Sequence, residues 1–182
     1  NGFCKTKMVH AALDLLREMH CKSLVPDTIT YNSPIDGLCK SGRMSDAQDL
    51  VYDMQESGHA PDIVTYTILL DAFCKSRHLD PVIALFRQMV VQGIQPNLYA
   101  YSILIDSLCK GGRLNDAREI FQYLLVSGYH LDAYTYTIMI SGLCRKGLFD
   151  EAMSLLSKMR ANECLPDSVT YGILLKALVE KS

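Results

Sequence analysis

Between residues 28 and 40 the apolar and polar positions fall on two separate stripes. Ile29, Asn32, Asp36 and Lys40 are spaced three, four and four residues apart, which places them along one face of a helix, while Tyr31, Ile35, Leu38 and Cys39 line another. The first face mixes charge with apolar surface and is able to meet a ligand. The second belongs in a core. A Ser/Gly/Arg turn follows at Ser41 to Arg43. A second helix is then expected to open at Ser45, a good N-cap type, with Ala47, Leu50, Val51 and Met54 again at helical spacing. Gly58, with Pro61 shortly after, stops it.

The same hairpin returns down the chain. Tyr31, Tyr66, Tyr101, Tyr136 and Tyr171 are separated by 35 residues each time, and Cys4, Cys39, Cys74, Cys109 and Cys144 keep the same period. A base follows each cysteine, at Lys5, Lys40, Lys75, Lys110 and Arg145, and Pro26, Pro61, Pro96 and Pro166 mark the end of the unit, with Leu131 the exception. The residues after these are Asp27, Asp62, Asn97, Asp132 and Asp167. The second helices are expected to open at Ser45, Asp80, Asn115 and Asp150, with Pro81 at a first helical position. Pro34 interrupts the donor series of its helix and predicts an irregular start there. Val82 replaces the small Ala seen at Ala47, Ala117 and Ala152.

A helix pair of this size cannot bury its apolar stripe alone, whereas stacked copies bury it against one another. The expected fold is all-α, an α-solenoid of stacked antiparallel helix pairs, forming one repeat array over 1–182. Complete repeats are expected at 28–62, 63–97, 98–132 and 133–167, with partial ones at 1–27 and 168–182. The chain reads as beginning inside one first helix and ending inside another, a fragment of a longer array without polar capping repeats. Self-association through those uncapped ends is an expected consequence.

Composition narrows the function classes. In 182 residues, 18 basic side chains face 20 acidic ones and 49% of positions are hydrophobic, so a core is available and bulk charge points to no nucleic acid. No apolar run reaches the roughly 18 residues of a membrane span, and the first residues carry no targeting segment; no membrane partner is expected. The periodic cysteines lie on the apolar stripe and behave as small buried hydrophobes. Neighbouring helix axes pack about 8 to 10 Å apart, while bridged Cα atoms need less than about 7 Å, so thiols are expected, with Cys21 and Cys164 the most exposed. No C-x-x-C motif occurs, so neither a metal nor another cofactor is expected. His10, His20, His59, His78 and His130 share no spacing with a nucleophile, and the chain reads as no enzyme. Met19, Met54, Met89 and Met159 recur with the period and are core fillers.

The unit "IVTYTILLDAFCKSRHLDPVIALFRQMVVQGIQPN", with its constant 35-residue period and absence of Trp, resembles a pentatricopeptide repeat of the pure class found in plant organellar proteins, and is similar to the restorer-of-fertility-like branch. The resemblance implies a right-handed superhelix that holds single-stranded RNA in its groove, one base per repeat. It implies that the residue after each tyrosine and the last residue of the unit read the base: Asn32 with Asp62, Thr67 with Asn97, Ser102 with Asp132, and Thr137 with Asp167. It further implies that Ile29, Val64, Tyr99, Tyr134 and Val169 sandwich successive bases, and it places the protein in mitochondria or, alternatively, chloroplasts, with protein factors of organellar RNA metabolism as further partners.

Side-chain chemistry agrees with the pairing. A short hydroxyl leaves room for a purine, whereas an Asn amide reaches a smaller pyrimidine; a carboxylate accepts from the ring N–H of G or U, while Asn also donates to A or C. The pairs then spell 5′-UAGG-3′ in the family's orientation. Lys40, Lys75, Lys110 and Arg145 form a ladder suited to phosphates, although Asp36, Asp71 and Asp106 stand four residues before the lysines, where they also suit ordinary helix pairing. The alternative is a protein-binding helical scaffold resembling tetratricopeptide arrays, which requires no coupled variation at the reader positions.

Overall fold

The computed structural model describes residues 2–181, with side chains from 8 to 180. Helix α1 (Gly2–Cys21) precedes α2 (Thr28–Lys40), α3 (Met44–Glu56), α4 (Ile63–Lys75), α5 (Leu79–Val91), α6 (Leu98–Lys110), α7 (Leu114–Val126), α8 (Ala133–Arg145), α9 (Phe149–Ala161) and α10 (Ser168–Lys181). Among the described residues there is no strand. The chain divides into two compact units, Asn1–Ser76 with Ala84–Pro96, and Arg77–Ile83 with Asn97–Ser182.

Each element has a local cause. The helices α2, α4, α6 and α8 open behind Asp27, Asp62, Asn97 and Asp132, whose extended backbone and side-chain oxygen capture the backbone N–H three residues on; Asp167 does the same for Thr170. Such a cap stabilises a helix by about 1 kcal/mol relative to alanine. At the other end a left-handed residue turns the chain, as at Gly42 (φ 78°) and Gly58 (φ 83°). Arg43 N donates to Leu38 O at 3.0 Å and His59 N to Met54 O at 3.0 Å, which satisfies carbonyls that the helix leaves open. Ser23, Arg77 and Glu163 hold the same left-handed conformation without being glycine, and each stands on the 35-residue lattice of these turns.

Two local expectations are corrected. The second helices begin at Met44, Leu79, Leu114 and Phe149, so Ser45, Asp80, Asn115 and Asp150 lie inside the first turn, and Arg43, Arg113 and Leu148 occupy the N-cap without a side-chain bond to the helix backbone. The physical reason is the preceding turn. Closure of the first helix by Arg43 N to Leu38 O, Arg113 N to Leu108 O and Leu148 N to Leu143 O fixes the residue at which the next helix starts. Pro34 is the second case: α2 begins regularly behind Asp27 and runs through the buried Pro34 to Lys40.

In the first unit α2 packs against α1, α3 and α4. Val9, Leu16, Tyr31, Ile35, Leu38, Ala47, Leu50, Met54 and Leu69 form one buried cluster there. In the second unit α8 packs against α6, α7, α9 and α10, and α6 against α7. The first helices of successive repeats therefore lie side by side within each unit, with the second helices α3, α7 and α9 against the first helices of their own repeats. Phe121 meets Tyr136 edge-on at 5.4 Å, and Ala117, Ala152, Leu124 and Met159 are buried. Full burial of a Leu or Met side chain contributes roughly 1.5 to 3 kcal/mol. Val82 is accommodated at the alanine position with no exposure.

The tyrosines act as scaffold by reaching across the hairpin. Tyr31 OH donates to Ser57 Oγ (3.0 Å) and Tyr66 OH to Gln92 Oε1 (2.6 Å), and Tyr136 OH accepts from Asn162 Nδ2 (2.7 Å). Each bond spans 26 residues and ties the first turn of a first helix to the residue just past the end of the second. The thiols of Cys21, Cys39, Cys74, Cys109, Cys144 and Cys164 are unbridged. Cys21 is exposed, as expected, and Cys164 is half-buried. The Cys4 side chain lies outside the described residues.

Candidate nucleic-acid interface

The expected base readers stand on the first helices, one turn beyond the expected stacking residues. Ile29, Val64, Tyr99, Tyr134 and Val169 are all exposed, at 46% to 74% of their surface. Large apolar side chains are thus left largely in water at the same position of every repeat. In the second unit the rings of Tyr99 and Tyr134 are 6.4 Å apart at an interplanar angle of 32°. That separation approaches two stacking steps of about 3.4 Å each, the spacing at which one base would lie between them.

Of the expected readers, those that follow the tyrosines are recessed, whereas Asn97, Asp132 and Asp167 are exposed and Asp62 is half-buried. Asn32, Ser102 and Thr137 are 7%, 1% and 9% exposed, and Thr67 is half-buried. Asn32 and Asp62 are 30 residues apart in sequence, yet Asn32 Nδ2 donates to Asp62 Oδ1 at 3.3 Å. Thr65 completes the group: its hydroxyl shares its proton between Asn32 Oδ1 (2.7 Å) and Asp62 Oδ1 (3.0 Å), while its backbone N–H donates to the same carboxylate oxygen (2.9 Å). In the second unit Ser102 Oγ lies 2.7 Å from Thr135 Oγ1, and Thr135 donates to Asp132 Oδ1 from its hydroxyl (2.7 Å) and its backbone (2.8 Å). Thr137 Oγ1 meets Thr170 Oγ1 at 2.7 Å, and Thr170 holds Asp167 Oδ1 in the same two ways, both at 2.8 Å. Thr67, in the first unit, bonds back to Ile63 O and Val64 O of its own helix.

The closing residue of each unit therefore carries a second duty as N-cap of the next first helix. Thr65 and Asn32 bond to Asp62, Thr135 to Asp132 and Thr170 to Asp167 through the carboxylate Oδ1, and none of these bonds uses Oδ2. Burial works against the charge of Asp62, but the Thr65 amide and hydroxyl and the Asn32 amide outweigh it and hold the carboxyl below its usual range. The Thr170 amide and hydroxyl lower Asp167 likewise, and the Thr30 hydroxyl and amide lower Asp27. These carboxylates are acceptors at neutral pH.

Sequence reasoning missed the threonine before the tyrosine. Thr65, Thr135 and Thr170 have no exposed surface. The available signal was their recurrence at 35 residues, three positions after an Asp, with Ala100 the one interruption.

The basic ladder is largely paired. Lys40 Nζ is 2.5 Å from Asp36 Oδ2, and Lys75 and Lys110 bond to Asp71 and Asp106. Arg145 has Ser141 at that position and donates to its carbonyl at 3.4 Å. The lysine side chains remain 36% to 70% exposed, and exposed helix pairs of this kind contribute only about 0.3 to 0.5 kcal/mol. No helix of the described residues is long and apolar enough to cross a membrane, and among them no cluster of His, Cys, Asp and Glu is arranged to hold a metal ion.

Models of the PPR repeat family match residues 1–40, 26–75 and 61–110, and models of the PPR repeat match 99–129 and 127–160. No curated protein sequence matches the chain. The solved structure of the pentatricopeptide repeat protein PPR10 in complex with an 18-nt psaJ RNA element superimposes with a TM-score of 0.75 and 28% identity, over 93% of this chain and 25% of that one. PPR10 from maize gives 0.74 and 24%, over 89% and 23%. The PPR domain of Arabidopsis thaliana protein-only RNase P 1 in complex with tRNA gives 0.72 and 19%, over 99% and 94%. The last two likenesses bear on the fold alone, and this chain spans about a quarter of the length of PPR10.

Proposed function

Because this chain belongs to the PPR repeat family, we propose that it binds single-stranded RNA with one base to each repeat and the core preference 5′-UAGG-3′. The observation that carries the reading is the second unit's slot. There Tyr99 and Tyr134, exposed and 6.4 Å apart, flank the turn of helix that holds Ser102, and Thr135 bonds to Asp132 through Oδ1, not Oδ2. Stacking contributes roughly 1 to 3 kcal/mol per base in single-strand binders, so the third base is held best. Ser102, recessed and bonded within the protein, selects by the room it leaves for a purine, and Asp132 then distinguishes G from A by accepting its ring N–H. RNA accompanies the solved relative PPR10, which supports the same ligand class here.

The protein acts by protecting, remodelling or marking a transcript for other factors of RNA metabolism in mitochondria or chloroplasts, and it carries out no catalysis. The testing experiment is a titration with two labelled oligomers, one containing UAGG and one with the same bases scrambled. Tighter binding of UAGG by about tenfold or more is expected. Equal binding of both removes the base-reading assignment, and no binding of either hands the array to the protein-scaffold reading.

A further inference from the structure

We infer that the buried threonine preceding the tyrosine, Thr65 for the first base and Thr135 for the third, is a positioning residue that sets which hydrogen-bonding atoms of the two base readers face the RNA. The inference rests on the RNA-binding reading above and adds residues to it.

The geometry is specific. Asn32 can present either its carbonyl or its amide to a base, because rotation about the last side-chain bond exchanges them. Thr65 donates to Asn32 Oδ1 at 2.7 Å, which turns that oxygen inward. One Nδ2 hydrogen then goes to Asp62 Oδ1 and the other remains for the ligand. Such a donor suits the ring carbonyl that both pyrimidines carry. The same threonine holds Asp62 Oδ1 through its hydroxyl and its backbone N–H, which fixes the carboxylate plane and leaves Oδ2 as the acceptor for the ring N–H of U. Cytosine has an unprotonated nitrogen at that place and is rejected by the carboxylate. In the second unit Thr135 does the same for Asp132, with Ser102 Oγ as its other partner at 2.7 Å.

A wholly structural role is the competing explanation, since both threonines are fully buried and each supports an N-cap. The two roles make different demands on the same variants. Replacing threonine by valine keeps shape and burial, retains the backbone N–H bond to the cap, and removes only the hydroxyl. Replacing it by serine removes a methyl group and keeps the hydroxyl.

The experiment measures binding of UAGG, CAGG and UAAG oligomers to the wild type, Thr65→Val, Thr65→Ser, Thr135→Val and Thr135→Ser, with thermal unfolding of each variant alongside. Thr65→Val is expected to lower the preference for UAGG over CAGG by about three- to tenfold, the size of one or two hydrogen bonds, while leaving UAGG over UAAG unchanged. Thr135→Val is expected to do the reverse, and both serine variants to restore the wild-type ratios. Equal weakening for all three oligomers, or serine variants that fail to restore the ratios, overturns the inference in favour of a structural role. So do valine variants with wild-type ratios, and in each of these cases the wild type's own preference for UAGG remains intact. A wild type that fails to separate the three oligomers overturns the base-reading proposal and this inference together.

Discussion

Asn32 and Asp62, separated by 30 residues, are joined by a hydrogen bond of 3.3 Å between Nδ2 and Oδ1. The same Asp62 oxygen caps helix α4, so the residue that ends one repeat both starts the next helix and orients the reader of its own repeat. In the proposed reading, readout and fold share this one carboxylate.

A reader exchange tests the pairing. Ser102→Asn recreates, next to Asp132, the combination found at Asn32 and Asp62, and the hydroxyl that Asn32 Oδ1 uses at Thr65 is present at Thr135. The third base is expected to switch from G to U while the others stay. A direct base contact is typically worth about 1 to 3 kcal/mol, so competition between UAGG and UAUG should shift by about tenfold or more. A variant that still prefers UAGG removes Ser102 from the reading set.

The lysine ladder is tested through salt. Replacing Lys75 and Lys110 by Gln is expected to weaken binding of every oligomer and to lower the slope of log K against log salt by about 0.7 for each phosphate that is no longer neutralised. Asp71→Asn with Asp106→Asn acts in the opposite direction, because the ion pairs that hold these lysines are removed and the local field becomes more positive. An unchanged slope in the lysine variant assigns both residues to helix pairing alone.

Acid stability follows from the depressed carboxyls of Asp27, Asp62 and Asp167. A carboxyl whose folded pKa lies below its unfolded value, about 3.9 for Asp, stabilises the fold in its charged form. That contribution is complete above about pH 5 and is lost as pH falls through the folded pKa. The melting temperature is expected to hold level from pH 7 to about 5 and to fall below about 4. Asp62→Asn should shallow that fall, since Asn caps without titrating, as Asn97 does by accepting from Ala100 N at 2.9 Å. Identical acid profiles for the two proteins contradict a charged cap at Asp62.

Thiol chemistry separates packing from reactivity. Burial pushes the Cys39 and Cys109 thiols up to about 11, and also raises Cys144 and Cys164. Because the thiolate is the nucleophile, alkylation at pH 8 should label the exposed Cys21 well before Cys39 and Cys109, and reductant should leave the melting temperature unchanged. Peptide mapping that finds Cys109 modified as fast as Cys21 contradicts its packing against Gly142, where an added Cβ would lie 2.5 Å from the Cys109 sulfur.

The hairpin fold was legible in the sequence because its causes are local and repeated. The helical stripes, the closing Asp or Asn, the turn glycines and the tyrosines each recur at one spacing, so every repeat repeats the same instruction. The starts of the second helices were misread by two residues. A good N-cap residue states a preference, whereas the carbonyls of the preceding helix decide where the turn closes, and that competition is settled by backbone hydrogen bonds.

The candidate site divides in the same way. Its residue types and positions, Asn32, Ser102, Asp62 and Asp132 among them, stand in the sequence, because the variation at one register is visible against a constant background. Only the tertiary structure brings a first helix beside the next, which places Thr65 on Asn32 and Thr135 on Ser102, 33 residues away. It also decides that Ile29, Val64, Tyr99, Tyr134 and Val169 stay in water while Asn32, Ser102 and Thr137 are recessed. Sequence periodicity fixes which face of a helix a side chain occupies. What that side chain bonds across the interface depends on the distance between neighbouring backbones, and that distance exists only once the repeats are packed.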